Sequence, residues 1–304
     1  MKKKVFAGIL LGTMLLFAVG CKKGTGNNEN VQPTTTQNPT TTEAPVITEE
    51  PKATATPAVD ISTYALAKYP TIHADVPDPD IIRVGENYYM TSTTMNLCPG
   101  VPVMKSTDLV NWQIVNYVYD ILEDDDLGNL ENGQDMYARG SWASSLRYNE
   151  EAGLFYVGFN SNNHGFYIFT TDDIENGTWK KYKLNSFLHD PGLIFDNGNL
   201  YGLSASGGTC RIQQLRLNEE NSTVEAVGAA RTIFTSSGWS LWEGAHAYKI
   251  GDYYYVCIIA SPNNKWMRTQ LCYRSKSLLS GTWEEKIIYE GGSVHCLMSI
   301  LAVE

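Results

Sequence analysis

The chain has 304 residues, 43% of them hydrophobic and 11% aromatic, and a formal net charge of −10 at pH 7. That acidity disfavours nucleic acid as a partner, because nucleic acid is bound through a basic footprint. No phosphate-binding glycine loop or dinucleotide fingerprint opens a helix after a strand, which excludes the common nucleotide-dependent classes.

In chain order, Lys2, Lys3 and Lys4 precede an apolar run from Val5 to Val19. A basic start followed by an apolar segment too short for a stable span predicts an export signal over residues 1–20. The ending Phe17-Ala18-Val19-Gly20-Cys21 resembles a bacterial lipobox. It implies lipidation of Cys21 and an exported product anchored to a membrane or cell surface. Residues 21–62 are rich in Thr, Pro, Asn and Glu and cannot bury a core, so they are predicted to be a disordered linker. Pro33, Pro39, Pro45, Pro51 and Pro57 recur every six residues, which favours an extended, semi-rigid tether.

Residues 63–304 are predicted to form one all-β domain, and a repeat is the reason. Asp78-Pro79-Asp80-Ile81-Ile82 runs through Gly85 into Asn87-Tyr88-Tyr89-Met90. Three other segments repeat this pattern: Ser141-Trp142-Ala143 into Gly153-Leu154-Phe155-Tyr156, His189-Asp190-Pro191 into Asn199-Leu200-Tyr201, and Glu243-Gly244-Ala245 into Gly251-Asp252-Tyr253-Tyr254. Taking Asp78, Trp142, Asp190 and Glu243 as equivalent points, the steps are 64, 48 and 53 residues. A period near 50 built from strands is the signature of β-propeller blades. A second repeat supports it. The stretches 106–115, 170–184 and 275–290 each place a Trp after a short polar turn, as the outer parts of blades one, two and four.

The acidic run 121–135 between the first two blades lacks the ligand order of an EF-hand loop. It is either a solvated loop or the wall of a pocket. Beyond Cys21, the cysteines are Cys98, Cys210, Cys257, Cys272 and Cys296. An odd number without a CxxC spacing predicts neither a zinc site nor a disulfide framework. Cys257 and Cys272 are expected on neighbouring strands of blade four, as a disulfide or as two buried thiols.

The innermost strand of a propeller blade runs along the central axis, so equivalent positions converge on one funnel. Here those positions supply Asp78, Asp190 and Glu243. Burial and mutual repulsion should push at least one carboxyl pKa upward. One protonated and one ionised carboxyl group are what glycoside cleavage requires. The alternative is that each acid only caps the first turn of its blade.

The strings ADVPDPDIIRVGENYYMTSTTM (74–95), GSWASSLRY (140–148), HDPGLIFDNGNLYGL (189–203) and EGAHAYKIGDYYYV (243–256) resemble glycoside hydrolase family 43. The resemblance covers nearly all of residues 70–295 and implies a five-bladed propeller that needs no cofactor. It implies Asp78 as general base, Glu243 as general acid, and Asp190 as the residue that orients the acid and tunes its pKa. Asp75 and Asp80 flank Asp78, which alone stands between two prolines. Inversion would place base and acid roughly 6.5–9.5 Å apart. Trp142 and Ser144 are expected in the wall of a sugar pocket. The implied substrates are xylo- or arabino-oligosaccharides, attacked from the chain end, with β-xylosidase and α-L-arabinofuranosidase action left open. Families acting on fructans are rivals, but Val76-Pro77-Asp78-Pro79 and Glu243-Gly244 depart from their patterns.

The resemblance also implies a His near the axis at the start of blade five, often beside a structural calcium ion, which points to His295. After His295 the family pattern is lost, so about four blades are expected to be complete. The expectation that follows is a poorly stable domain, with a truncated, catalytically defective or glycan-binding lipoprotein as the alternative to an enzyme.

Overall fold

In the computed structural model of the chain, the described residues are 71–291, apart from 96, 97, 264 and 266. They form sixteen strands and no helix, as the all-β expectation required. The strands fall into four antiparallel meanders of four. The first comprises β1 (Asp80–Val84), β2 (Asn87–Thr91), β3 (Gly100–Ser106) and β4 (Gln113–Tyr119). The second comprises β5 (Ser145–Asn149), β6 (Leu154–Ser161), β7 (Gly165–Thr171) and β8 (Lys180–Leu184). The third comprises β9 (Gly192–Asp196), β10 (Asn199–Ser206), β11 (Thr209–Asn218) and β12 (Thr223–Thr235). The fourth comprises β13 (Trp239–Ile250), β14 (Tyr253–Pro262), β15 (Thr269–Ser275) and β16 (Glu284–Glu290).

Each first strand touches the first strand of the next meander, β1 on β5, β5 on β9 and β9 on β13. The meanders are thus blades ranged around an axis. The apolar core lies between them, because alternate residues of a strand face the two neighbouring blades. Val103, Leu146, Phe159, Tyr167 and Phe169 fill the layer between blades one and two. Phe166, Ile168, Tyr182, Leu193 and Leu215 fill the next. Leu203, Ile212, Val256, Ile258 and Leu271 fill the layer between blades three and four. Gly192 is required where β9 meets β13, since a Cβ there would collide with the Ala245 carbonyl. A single parallel bridge, Thr223 to Lys183, joins the outer strands of blades two and three into one eight-stranded sheet.

The outer repeat has a structural cause. Trp112, Trp179 and Trp283 each stand directly before the fourth strand of their blade. The turn ahead of each Trp is closed by the hydroxyl of the residue that ends the third strand. Ser106 accepts from the Asp108 amide, Thr171 from Asp173 and Ser275 from Ser277, at 3.1–3.2 Å. Such side-chain-to-backbone bonds define a tight turn, and in blades two and four Gly177 and Gly281 leave room for the hydroxyl, which a Cβ there would meet.

Cys257 and Cys272 face each other across β14 and β15 and are not joined by a disulfide. The expected export signal, Cys21, the linker, His295 and its calcium ion, and the start of a fifth blade all lie outside the described residues.

Candidate active site

The three carboxylates expected to converge do so. Asp78, Asp190 and Glu243 line one small cavity with Ala143, Gly244, His246, Ile259 and Arg268. The local backbone explains the placement. Asp78 and Asp190 stand two residues before β1 and β9. Both precede a proline and both have positive φ, 50° and 41°, a region that Asp tolerates better than most side chains. Glu243 lies within β13, where the register with β14 shifts between Glu243 and His246. Gly244 at that shift has φ 68°, and the bulge turns the Glu243 side chain towards the other two.

Blade two contributes Ala143, not Trp142. Ala143 stands two residues before β5, as Asp78 and Asp190 do before their strands, so Trp142 is one residue out of step with the acids. Its indole nitrogen is buried and unpaired, and its backbone N–H donates to the Asn160 carbonyl at 3.0 Å. Ser144 is 1% exposed, and its hydroxyl is hydrogen-bonded to Thr91 at 3.0 Å. It joins blades one and two and is sealed from any sugar pocket, which corrects the expectation that it forms a pocket wall.

Each acid has a different environment. Thr93 donates its hydroxyl to Asp78 Oδ2 at 2.8 Å, and Ser92 ties the Pro77 carbonyl beside it at 2.6 Å. One carboxylate oxygen of Asp78 is thereby fixed. Burial pushes the Asp190 carboxyl above its ordinary range. His189 pulls the other way, and the negative charges of Glu243 and Asp78 reinforce the rise. Glu243 is contacted by Arg268 Nη1 and by His189 Nε2, each at 3.4 Å. Sequence reasoning missed both cations. The one available signal was that His189 adjoins Asp190; Arg268 arrives from the loop ahead of β15, and its position in the chain gives no hint of the contact.

Beneath the cavity lies a second polar cluster. Asp80 is fully buried and accepts from Arg147 Nη1 at 2.7 Å and from the Leu146 amide at 2.9 Å. His246 Nδ1 is 3.3 Å away, close enough for attraction but not aligned as a hydrogen bond. Burial alone would raise the Asp80 carboxyl, yet Arg147 and His246 hold it well below the usual range. Arg147 also donates to the Leu193 carbonyl of β9 at 2.8 Å and to the Ala247 carbonyl of β13 at 3.4 Å. One guanidinium therefore ties together the inner strands of all four blades. The choice of Asp78 over Asp80 as the cavity acid follows the structure, and Asp75 is exposed away from this cavity.

Among the larger cavities elsewhere, two adjoin blade one. One, of about 340 Å³, is walled by Tyr119, Ile121, Leu122, Leu130 and Tyr137. The acidic run is thus partly a pocket wall, while Asp124, Asp125 and Asp126 satisfy themselves on Asn129, Gly128 and Asn132. The other, of about 710 Å³, lies along blade one beside Pro77 and Trp112. Each holds a single carboxylate, so neither has the paired acids that hydrolysis needs. His189 Nε2 and one oxygen each of Asp190 and Glu243 lie within 4.8 Å of one another. Charge pairing between the imidazole and the two carboxylates accounts for that grouping, and we assign it no metal.

Several known proteins are similar to this chain. A non-reducing end alpha-L-arabinofuranosidase of Bacteroides ovatus is 32% identical over 214 residues, which cover 68% of this chain and 38% of that protein. A beta-xylosidase of Bacillus subtilis is 32% identical over 208 residues, covering 62% and 36%. The chain thus spans less than two fifths of the length of these curated relatives. Among solved structures, a bifunctional GH43-CE protein of Bacteroides eggerthii superposes with a TM-score of 0.66 at 35% identity, covering 74% of this chain and 29% of that one. The sequence profile of glycosyl hydrolases family 43 matches residues 67–288, which takes in every acid of the cavity and all but the last two residues of the four blades, and the chain belongs to that family.

Proposed function

We propose that the chain is an exo-acting, inverting glycoside hydrolase that removes terminal β-xylosyl or α-L-arabinofuranosyl units from hemicellulose fragments. The observation that carries this reading is the convergence of Asp78, Asp190 and Glu243 on one cavity. Asp78, held by Thr93, is the general base that takes a proton from water. The water attacks the anomeric carbon, and the bond to the leaving oxygen breaks as Glu243 gives that oxygen a proton. Asp190 shares the cavity with both and favours a protonated neighbour, since three ionised carboxylates in one cavity repel. Two carboxyl groups and a water complete the reaction, so it calls for no cofactor. The names of the relatives, arabinofuranosidase and beta-xylosidase, support the two candidate sugars. The basic start, the apolar run and Gly20-Cys21 support an exported domain held to a membrane by a lipid on Cys21 and the proline-rich tether.

The test is hydrolysis of nitrophenyl β-xyloside and nitrophenyl α-L-arabinofuranoside by the domain, beside Glu243→Gln. Turnover of at least one substrate is expected, with a loss of roughly 10²–10⁴-fold in the variant. No turnover of either sugar, together with retained oligosaccharide binding, would favour the glycan-binding reading.

A further inference from the structure

Glu243 is gripped from two sides. Arg268 Nη1 lies against Oε1 and His189 Nε2 against Oε2, each at 3.4 Å. Asp190 Oδ2 is 3.8 Å from the same His189 nitrogen. Asp78 and His246 complete the charged and titratable groups that line the cavity. A guanidinium stays protonated throughout the working pH range and has no acceptor. While Arg268 holds Oε1, a proton for the leaving group has to be carried on Oε2, the oxygen that faces His189. His189 also packs along Phe187, with ring centroids 6.2 Å apart. Its side chain is 44% exposed, so it exchanges protons with solvent.

Resting on the assignment of Glu243 as general acid, we propose that His189 is a positioning residue that shares the catalytic proton with Glu243, so that the pair delivers it to the leaving group. In the empty site the proton rests on His189 Nε2, which donates to the Glu243 carboxylate. Substrate filling the cavity expels water, which disfavours the separated charges and moves the proton to Oε2. It passes to the glycosidic oxygen as the C–O bond breaks, while Asp78 takes a proton from the attacking water. The pair ends one proton short and Asp78 one proton up, and exchange with solvent resets both. The bond to Glu243 raises the His189 imidazole above its ordinary range, outweighing the opposite effect of burial, and Asp190 adds to the rise.

The test is the pH profile of kcat/KM for His189→Gln beside the unaltered protein. With xylobiose or another unactivated leaving group, the alkaline limb should move to lower pH by about one unit, roughly a tenfold relative loss on the alkaline side. With a dinitrophenyl glycoside, whose leaving group needs no proton, the two proteins should agree within about twofold. An unmoved alkaline limb overturns the inference, as does an equal loss with both leaving groups. Glu243→Gln, run in parallel, separates the two claims. Full activity in that variant overturns the acid assignment and this inference with it, whereas lost activity beside an unmoved limb in His189→Gln overturns the inference alone. Independently of turnover, NMR titration of the His189 imidazole should fall towards its ordinary value in Glu243→Gln, and an unchanged titration also overturns the proposal.

Discussion

Asp78 and Asp80 are separated by one proline and have opposite fates. Asp80 enters β1, is wholly buried, and is locked by Arg147 and a backbone amide at hydrogen-bond distance. Asp78 remains outside the strand, holds one hydroxyl, and faces a cavity shared with two other acids. The lower cluster pairs its negative charge with a dedicated cation and is fixed in one ionisation state. The upper cluster has more negative than positive groups, and its Asp190 is pushed towards the neutral form. The contrast separates charge used to assemble blades from charge held in reserve for chemistry.

The largest expected effect belongs to the upper cluster. Asp78→Asn should slow hydrolysis by roughly 10²–10⁴-fold and leave the urea midpoint nearly unchanged, because Asp78 is only partly buried and its side chain is hydrogen-bonded to the Thr93 hydroxyl alone among the described residues. A large shift of the midpoint would place Asp78 in the scaffold and erase the contrast. The lower cluster should show the reverse. Arg147→Met takes the guanidinium away from the buried Asp80 carboxylate, so a loss of up to about 3–5 kcal/mol in urea unfolding is expected. Adding Asp80→Asn to that variant should recover part of it. Because the folded-state pKa of Asp80 is depressed, its contribution is present above the unfolded carboxylate value of about 3.9. It is lost as pH falls through the folded value, so the gap between the unaltered protein and Arg147→Met should narrow only in strong acid.

The smallest effect sharpens the comparison from the other side. The folded-state pKa of Asp190 is raised, so its ionised form costs stability at neutral pH and the cost fades as pH falls. Asp190→Asn should therefore raise thermal stability at pH 7, by an amount of the order of 1 kcal/mol, while slowing turnover. The gain should shrink at pH 4. A loss of stability at pH 7 would mean that Asp190 is held by contacts as Asp80 is.

The sequence carried the blades and the acids because both are periodic. A glycine or polar turn after each first strand, and a Trp before the fourth strand of blades one, two and four, recur in step with the fold. The wall of the site was less legible. Trp142 marks blade two conspicuously, but the pocket position is Ala143, and only the strand boundary at Ser145 reveals the offset. Ser144 was implied as a pocket residue by the resemblance alone, yet its hydroxyl turns inward to Thr91 just ahead of β5. Arg147 did carry a signal. A lone Arg between Leu146 and Tyr148 on a buried inner strand needs a buried anion, and Asp80 ahead of Ile81-Ile82 needs a cation. Arg268 and His189 meet Glu243 from two different loops, and no pattern local to the chain links them.

The Thr223–Lys183 bridge has a consequence for how the domain opens. It fuses blades two and three at their outer edge, while Leu193 and Phe166 fuse them within. Neither can fray from its fourth strand inward without exposing the backbone of the other, so the pair behaves as one cooperative unit. Blades one and four have no such seam among the described residues, and β16 is exposed along its whole length. Amide protection from exchange should therefore be deepest on the Asp190 side of the cavity and shallowest at its Asp78 and Arg268 edges. The acids would then sit where a slowly opening half of the molecule meets two faster ones.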